Sequence, residues 1–153
     1  MPVVDLLDES ATAALAARIS EHAAAGDVIA LKGDLGAGKT TFARGFIRAR
    51  GSEEEVPSPT FTLVQVYELA PTAIWHFDLY RIASPEEAWE LGIEDAFAEG
   101  ISLIEWPERL GPLLPQRRLE IEFQFGDRPE ARCAVLDAGE DWRERLPGIA
   151  AYG

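Results

Sequence analysis

The chain has 153 residues, 47% of them hydrophobic, and a formal net charge of −13 at pH 7. That length and composition suit one folded domain with a substantial core. The charge argues against an unaided grip on nucleic acid, because a phosphate backbone would repel such a chain at long range. Apolar runs fall short of the roughly 20 residues that a membrane span needs. The first ten residues carry Asp5, Asp8 and Glu9 and no base, unlike a signal or transit peptide. Cys133 stands alone, which excludes an internal disulfide and a cysteine metal cluster; it is expected in the core of a strand. A cytosolic address fits these features.

In chain order, Val3 to Leu6 predicts a short strand. Asp8, Glu9 and Ser10 offer caps to an alanine-rich helix reaching Gly26, with Leu15, Ile19 and a structural His22 on one face. Val28-Ile29-Ala30-Leu31 reads as a buried strand. It runs into Gly33-Asp34-Leu35-Gly36-Ala37-Gly38-Lys39-Thr40, which fits the phosphate-loop pattern of glycine, four residues, Gly-Lys and Ser or Thr. Behind it Phe42, Ala43, Phe46 and Ile47 recur at helical spacing, and Gly51 stops the helix. Arg44, Arg48 and Arg50 cluster on that helix, as either a solvated face or a dock for an acidic partner. Residues 52–60 read as a loop stiffened by Pro57 and Pro59.

Phe61 to Leu69 and Ile74 to Tyr80 read as strands. Their short connection, Ala70 to Ala73, requires an antiparallel pair, which is unusual beside a phosphate loop. Ser84-Pro85-Glu86-Glu87 carries start signals for a helix to about Leu91, and a second short helix spans Ile93 to Ala98. Ile101 to Trp106 is a buried strand with an acid near its end, closed by Pro107. Leu119 to Phe125 alternates as a half-exposed strand and turns through Gly126 to Pro129 into Ala131 to Leu136. Trp142 to Leu146 predicts a last helical turn.

The loop's residue types carry a definite chemistry. Gly33, Gly36 and Gly38 allow backbone conformations that a side chain forbids, so successive N–H groups can converge on one anion. The following helix aims its positive end at the same point. Lys39 adds a charge for the outer phosphates, Thr40 a hydroxyl for magnesium, and Thr41 a further bond for an inner phosphate. The bare pattern arises by chance in about half a percent of chains this long, and its flanking strand and helix lower that further. Nucleotide binding is therefore expected. Hydrolysis needs acids that manage the cation, and Asp78 and Glu105 stand where neighbouring strands should end. Which of the two lies nearer the metal is left open.

Four motifs appear together: Gly-Asp-Leu-Gly-Ala-Gly-Lys-Thr-Thr at 33–41, Ser-Pro-Thr-Phe at 58–61, His-Phe-Asp-Leu-Tyr-Arg at 76–81 and Glu-Trp-Pro-Glu at 105–108. In this order and spacing they resemble the TsaE (YjeE) family, over nearly the whole chain and most loosely after Leu110. The resemblance implies a bacterial ATPase required to make threonylcarbamoyladenosine beside the anticodon of tRNAs reading codons that begin with A. It implies an α/β fold, a P-loop NTPase-like three-layer domain over residues 1–153 whose mixed sheet is partly antiparallel. The implied cofactors are ATP and Mg2+. Gly33, Asp34, Leu35, Gly36, Ala37, Gly38, Lys39, Thr40, Thr41 and Trp106 would bind the nucleotide, with Thr40 and Glu105 at the metal. The implied catalytic residues are Lys39 on the β- and γ-phosphates, Thr60 of a switch-like loop, and Asp78, which would orient water.

Some roles stay double. Trp106 is either a site residue or a core anchor, and His76 a support for its strand or for Asp78. Arg81 either offsets transition-state charge or pairs with a surface acid. The resemblance places adenine near Glu9 to Thr12 and the hairpin turn Gly126 to Arg128. It implies a TsaD-type carbamoyltransferase and a TsaB-type companion as partners, with tRNA met only indirectly, no membrane, and weak hydrolysis without the partners. Two alternatives remain, a P-loop small-molecule kinase and a non-hydrolysing ATP-dependent adaptor. A kinase would need lid arginines, and between Pro85 and Leu114 Arg109 stands alone. The Asn-Lys-x-Asp signature of guanine binders is absent.

Overall fold

The computed structural model describes residues 2–53, 56–57, 59 and 62–146. Its strands are β1 (Val3–Leu6), β2 (Val28–Gly33), β3 (Val64–Tyr67), β4 (Ile74–Asp78), β5 (Ile101–Glu105), β6 (Leu119–Phe125) and β7 (Arg132–Ala138). Its helices are α1 (Glu9–Ser20), α2 (Lys39–Ala49), α3 (Glu86–Glu90), α4 (Ile93–Glu99) and α5 (Glu140–Arg145), with a 3-10 segment at Pro107–Leu113. The strands form one sheet in the order β1-β7-β6-β2-β5-β4-β3. β2 lies between parallel neighbours, β5 and β6, and β4 runs parallel to β5. The pairs β1–β7, β6–β7 and β3–β4 are antiparallel, so the sheet is mixed, as the short 70–73 connection required.

The two-residue period of the strands decides the layers. Ile29, Leu31, Ile101, Leu103, Ile121, Phe123 and Leu136 point to one face, where they meet α1, α2 and Trp142 of α5. Val28, Phe77 and Ile104 point to the other face, under α3, α4 and the 3-10 segment through Ala88, Ile93, Ala96 and Leu110. The result is helices, sheet, helices: an α/β three-layer fold. Cover on the second side does not extend past β2. Glu122 and Gln124 of β6 are therefore exposed, and Cys133 of β7 is half-buried, a correction to its expected place in the core. Burial and the Asp5 carboxylate raise its thiol pKa. Among the described residues no helix is long and apolar enough to cross a membrane.

Distant partners trim several expected elements. Asp8 caps α1 by accepting the Ala11 N–H at 2.9 Å. The helix stops at Ser20, short of Gly26, because its end is satisfied from elsewhere. Arg50 Nη1 donates to Ser20 O at 2.9 Å and Ala23 O at 3.2 Å, while the Asp27 carboxylate takes the Ala24 N–H at 2.7 Å. Arg44 Nε donates to Val56 O at 2.8 Å. Two of the three clustered arginines are thus internal braces, and Arg48 alone of them stays exposed. β3 begins only at Val64 because Leu63 has φ 68°; Phe61 lies outside the described residues. β4 ends at Asp78, whose Oδ1 turns the chain by accepting the Tyr80 N–H at 3.1 Å.

α1 and α2 pack tightly against each other at Gly45. A Cβ there would lie 2.9 Å from Ala13 Cα and 3.2 Å from Ala16 Cβ. Alanine would gain about 1 kcal/mol in helix propensity, but overpacking against backbone costs about 1–3 kcal/mol. Gly45→Ala is therefore expected to lower the urea midpoint of unfolding, and Gly45→Val to lower it further. Midpoints that stay level or rise in both would show that α1 moves freely off α2.

Candidate functional site

β2 ends in the middle of the sheet, and the glycine-rich loop springs from its carboxyl end, where α/β sheets place ligands. Gly33, Gly36 and Gly38 have φ of 137°, 79° and 120°, values that strain any residue with a side chain. At Gly33 a Cβ would also stand 2.7 Å from the Phe123 carbonyl oxygen, so two constraints act at once. Gly38 leads into α2, whose first N–H groups have no partners within the helix. The Ala37 side chain is in the core and Ala37 lines neither cavity, whereas Leu35 is exposed at the rim of the inner one.

Register puts the acids in one row, with Leu31 of β2 opposite Glu105 of β5, and Glu105 opposite Asp78 of β4. Glu105 is thus one strand nearer the loop. Thr40 Oγ1 lies 3.0 Å from its Oε1 and 3.1 Å from its Oε2, a hydroxyl donating to a carboxylate. His76 Nε2 lies 2.7 Å from Glu105 Oε2, with both side chains buried. His76 therefore braces Glu105, whereas its sequence position suggested its own strand or Asp78. The Asp78 N–H donates to Leu63 O at 2.9 Å, which ties this acid to the chain leaving the Ser-Pro-Thr loop. Ser58 and Thr60 lie outside the described residues.

Lys39 is buried, and its ammonium donates to Gly33 O and, at 2.9 Å, to Asp34 O. It also stands 4.1 Å from the centroid of the Trp106 ring. Burial lowers its pKa, and the Glu105, Glu108, Asp78 and Asp34 carboxylates push back. Trp106 has φ 60° and ψ 51°, a left-handed conformation that costs a bulky residue energy. Its half-buried ring packs at the rim of the second core cluster and faces Lys39.

Around these groups lies a cavity of about 280 Å³, lined by Glu9, residues 38–41, Asp78, Glu105 and Trp106 among others. It shares Glu9, Gly36, Gly38 and Thr41 with a second cavity of about 410 Å³ between the start of α1 and the β6–β7 turn. Glu9, Ser10 and Thr12 line this outer part, but Gly126, Asp127 and Arg128 do not; Pro129, Glu130 and Arg132 stand there instead. The Gly126 N–H closes the turn on Ala131 O at 2.9 Å, and it is the returning arm that meets the loop. Arg132 makes that meeting, with Nε and Nη2 at 3.3 Å and 3.1 Å from Gly36 O. A single arginine opening a strand carries no local signal that would single it out. Arg81 is exposed and lines neither cavity. Converging N–H groups, an ammonium, a hydroxyl and two carboxylates make a donor set suited to a polyphosphate and a hard cation.

Residues 6–133 match the family described as threonylcarbamoyl adenosine biosynthesis protein TsaE. The protein of Rickettsia felis called tRNA threonylcarbamoyladenosine biosynthesis protein TsaE is 39% identical over 132 residues, covering 86% of this chain and 77% of the relative. Its namesake in Bacillus subtilis is 38% identical over 134 residues, 87% of this chain and 76% of the relative. A crystal structure of Bacillus subtilis YdiB matches with a TM-score of 0.80 at 30% identity, over 98% of this chain and 94% of that one. With a family match across most of its length and relatives this similar, the chain belongs to the TsaE family.

Proposed function

We propose that this chain is an ATPase of weak intrinsic turnover that supports threonylcarbamoyladenosine formation on tRNA. Its targets are a TsaD-type carbamoyltransferase and a TsaB-type companion, in the cytoplasm, and it meets tRNA only through them. Membership of the TsaE family supports the pathway, and the net charge of −13 favours docking to proteins over gripping RNA. The observation that carries the ATPase reading is the meeting of Thr40 with Glu105 beside Lys39 at the glycine-rich loop.

The residues fit ATP and magnesium. Magnesium prefers hard oxygens and is held by one or two carboxylates together with substrate phosphates. Thr40 and Glu105 offer such oxygens, and among the described residues no group of three His, Cys, Asp or Glu forms an all-protein metal cage. When bound, magnesium supplies neutralising charge on the outer phosphates. The chain does the rest. Loop N–H groups and the start of α2 bind the phosphates, and Lys39 exchanges two neutral carbonyl oxygens for anionic phosphate oxygens. Thr40 can turn a lone pair to the metal and keep its hydrogen on Glu105. Asp78 orients a water whose oxygen bonds to the γ-phosphorus as the bond to the β–γ bridging oxygen breaks, releasing ADP, phosphate and the water's displaced proton.

Weak turnover follows from charge. The inner cavity's lining pairs one cation, Lys39, with three acids, Glu9, Asp78 and Glu105. A second cation at the transferring group is worth about 10³–10⁵ in rate for P-loop enzymes, and here a partner protein is left to complete it.

Lys39→Ala is expected to weaken ATP binding at least about thirtyfold, matching the loss of about 2 kcal/mol when one side of a buried charge pair is removed. Calorimetric titration reads this, and unaltered affinity would remove the phosphate-loop assignment. Only the ammonium form binds phosphate, and its pKa is lowered from 10.5, so wild-type affinity should fall with rising pH before reaching 10.5. Affinity that stays level through that range contradicts the burial argument. Asp78→Ala should keep near-normal ATP affinity but lose phosphate release measured with the transferase pair present. Wild-type release that never appears would leave the adaptor, and release only with a small-molecule acceptor would leave the kinase.

A further inference from the structure

Glu105 is held between two donors, and only one of them belongs to the phosphate loop. Thr40 Oγ1 approaches both carboxylate oxygens, at 3.0 Å and 3.1 Å, while His76 Nε2 approaches Oε2 at 2.7 Å. His76 lies two residues before Asp78 on β4, in register with Leu103 and therefore diagonal to Glu105 on β5. Diagonal neighbours in a sheet are about 7–8 Å apart, within reach of a long or aromatic side chain and beyond a short one. The ring is 0% exposed, and its Nδ1 has no hydrogen-bond partner among the described residues. Its polar contact is thus with Glu105.

That geometry assigns the tautomer. A carboxylate only accepts, so Nε2 carries the hydrogen. A hydrogen on Nδ1 would be buried with no acceptor in reach among the described residues, and unmade buried hydrogen bonds are costly. The ring therefore donates to the acid through Nε2. Without the ring, Glu105 would retain Thr40 as its donor, a hydroxyl that must also serve the metal.

We propose that His76 is a positioning residue for the cation site: as the Nε2–H tautomer it locks Glu105 in the orientation that faces Thr40. This rests on the magnesium–ATP reading of the cleft. Outer partners of this kind change metal affinity about 10–100-fold when removed.

The test uses the whole chain, a non-hydrolysable ATP analogue and magnesium. The half-saturating magnesium concentration for analogue binding is compared in wild type, His76→Leu and His76→Gln, each checked for folding by thermal melting. Analogue affinity in EDTA is measured alongside. His76→Leu should raise the half-saturating magnesium about tenfold or more and leave affinity in EDTA unchanged. His76→Gln, whose amide nitrogen can stand where Nε2 stands, should remain close to wild type. A His76→Leu titration overlying wild type overturns the proposal. So does an equal loss in EDTA, which would mark a general structural role. Should the variants fail to fold, nitrogen NMR of the wild type decides, because the chain has only two histidines, His22 and His76. His76 should carry its hydrogen on Nε2 and none on Nδ1; the opposite tautomer refutes the assignment. Wild type that binds the analogue regardless of magnesium overturns the cation reading and this proposal with it, a result visible without any variant.

Discussion

The Phe123 carbonyl oxygen stands 2.7 Å from where a Cβ on residue 33 would be. That close approach fixes how β2 leaves the sheet, and the site is placed from there. The same hairpin reaches over with Arg132 to hold Gly36 O, and α2 is seated against α1 where Gly45 has no side chain. The loop is thus gripped at its root, its tip and its following helix. Its N–H groups are set before any anion arrives, and donors that need no rearrangement are the ones that contribute most to binding and catalysis.

Electrostatically the site runs against the rest of the molecule. The chain has two lysines, and it buries Lys39 to 4% exposure. Burial disfavours the ammonium; nearby carboxylates and the Trp106 ring favour it. A desolvated cation–π contact is worth about 2 kcal/mol, and each bond from a charged donor to a carbonyl about 1.5–3 kcal/mol net. In the proposed reading, a triphosphate would displace both because it brings several negative charges to the same point. Groups held in such tension gather at functional sites.

Local signals read well in this sequence. β2, the glycine loop and α2 declared themselves through an apolar run, three glycines and the spacing of Phe42, Ala43, Phe46 and Ile47. The antiparallel β3–β4 pair followed from a connection too short for a crossover. What failed to show depends on neighbours distant along the chain. The end of α1 is decided by Arg50 and Asp27, which override the helix propensity of three alanines. His76 was seen as a brace, but its partner is a diagonal across β4 and β5 and requires their register. That Arg132 of the returning arm meets the loop gave no local sign, and Cys133 is half-buried because no helix among the described residues covers that end of the second face. The order of the acids relative to the loop likewise came only from the order of the strands.

Trp106 carries a last consequence. Its ring lies 4.1 Å from the Lys39 ammonium, and that neighbour departs whenever the lysine turns to an anion. Indole emission responds to charge beside the ring. Trp142 is buried in the core, Trp75 is stacked on Phe77, and Trp89 belongs to α3. The cleft therefore contains its own optical gauge, and its filling can be followed in the unlabelled chain as a change in colour and brightness.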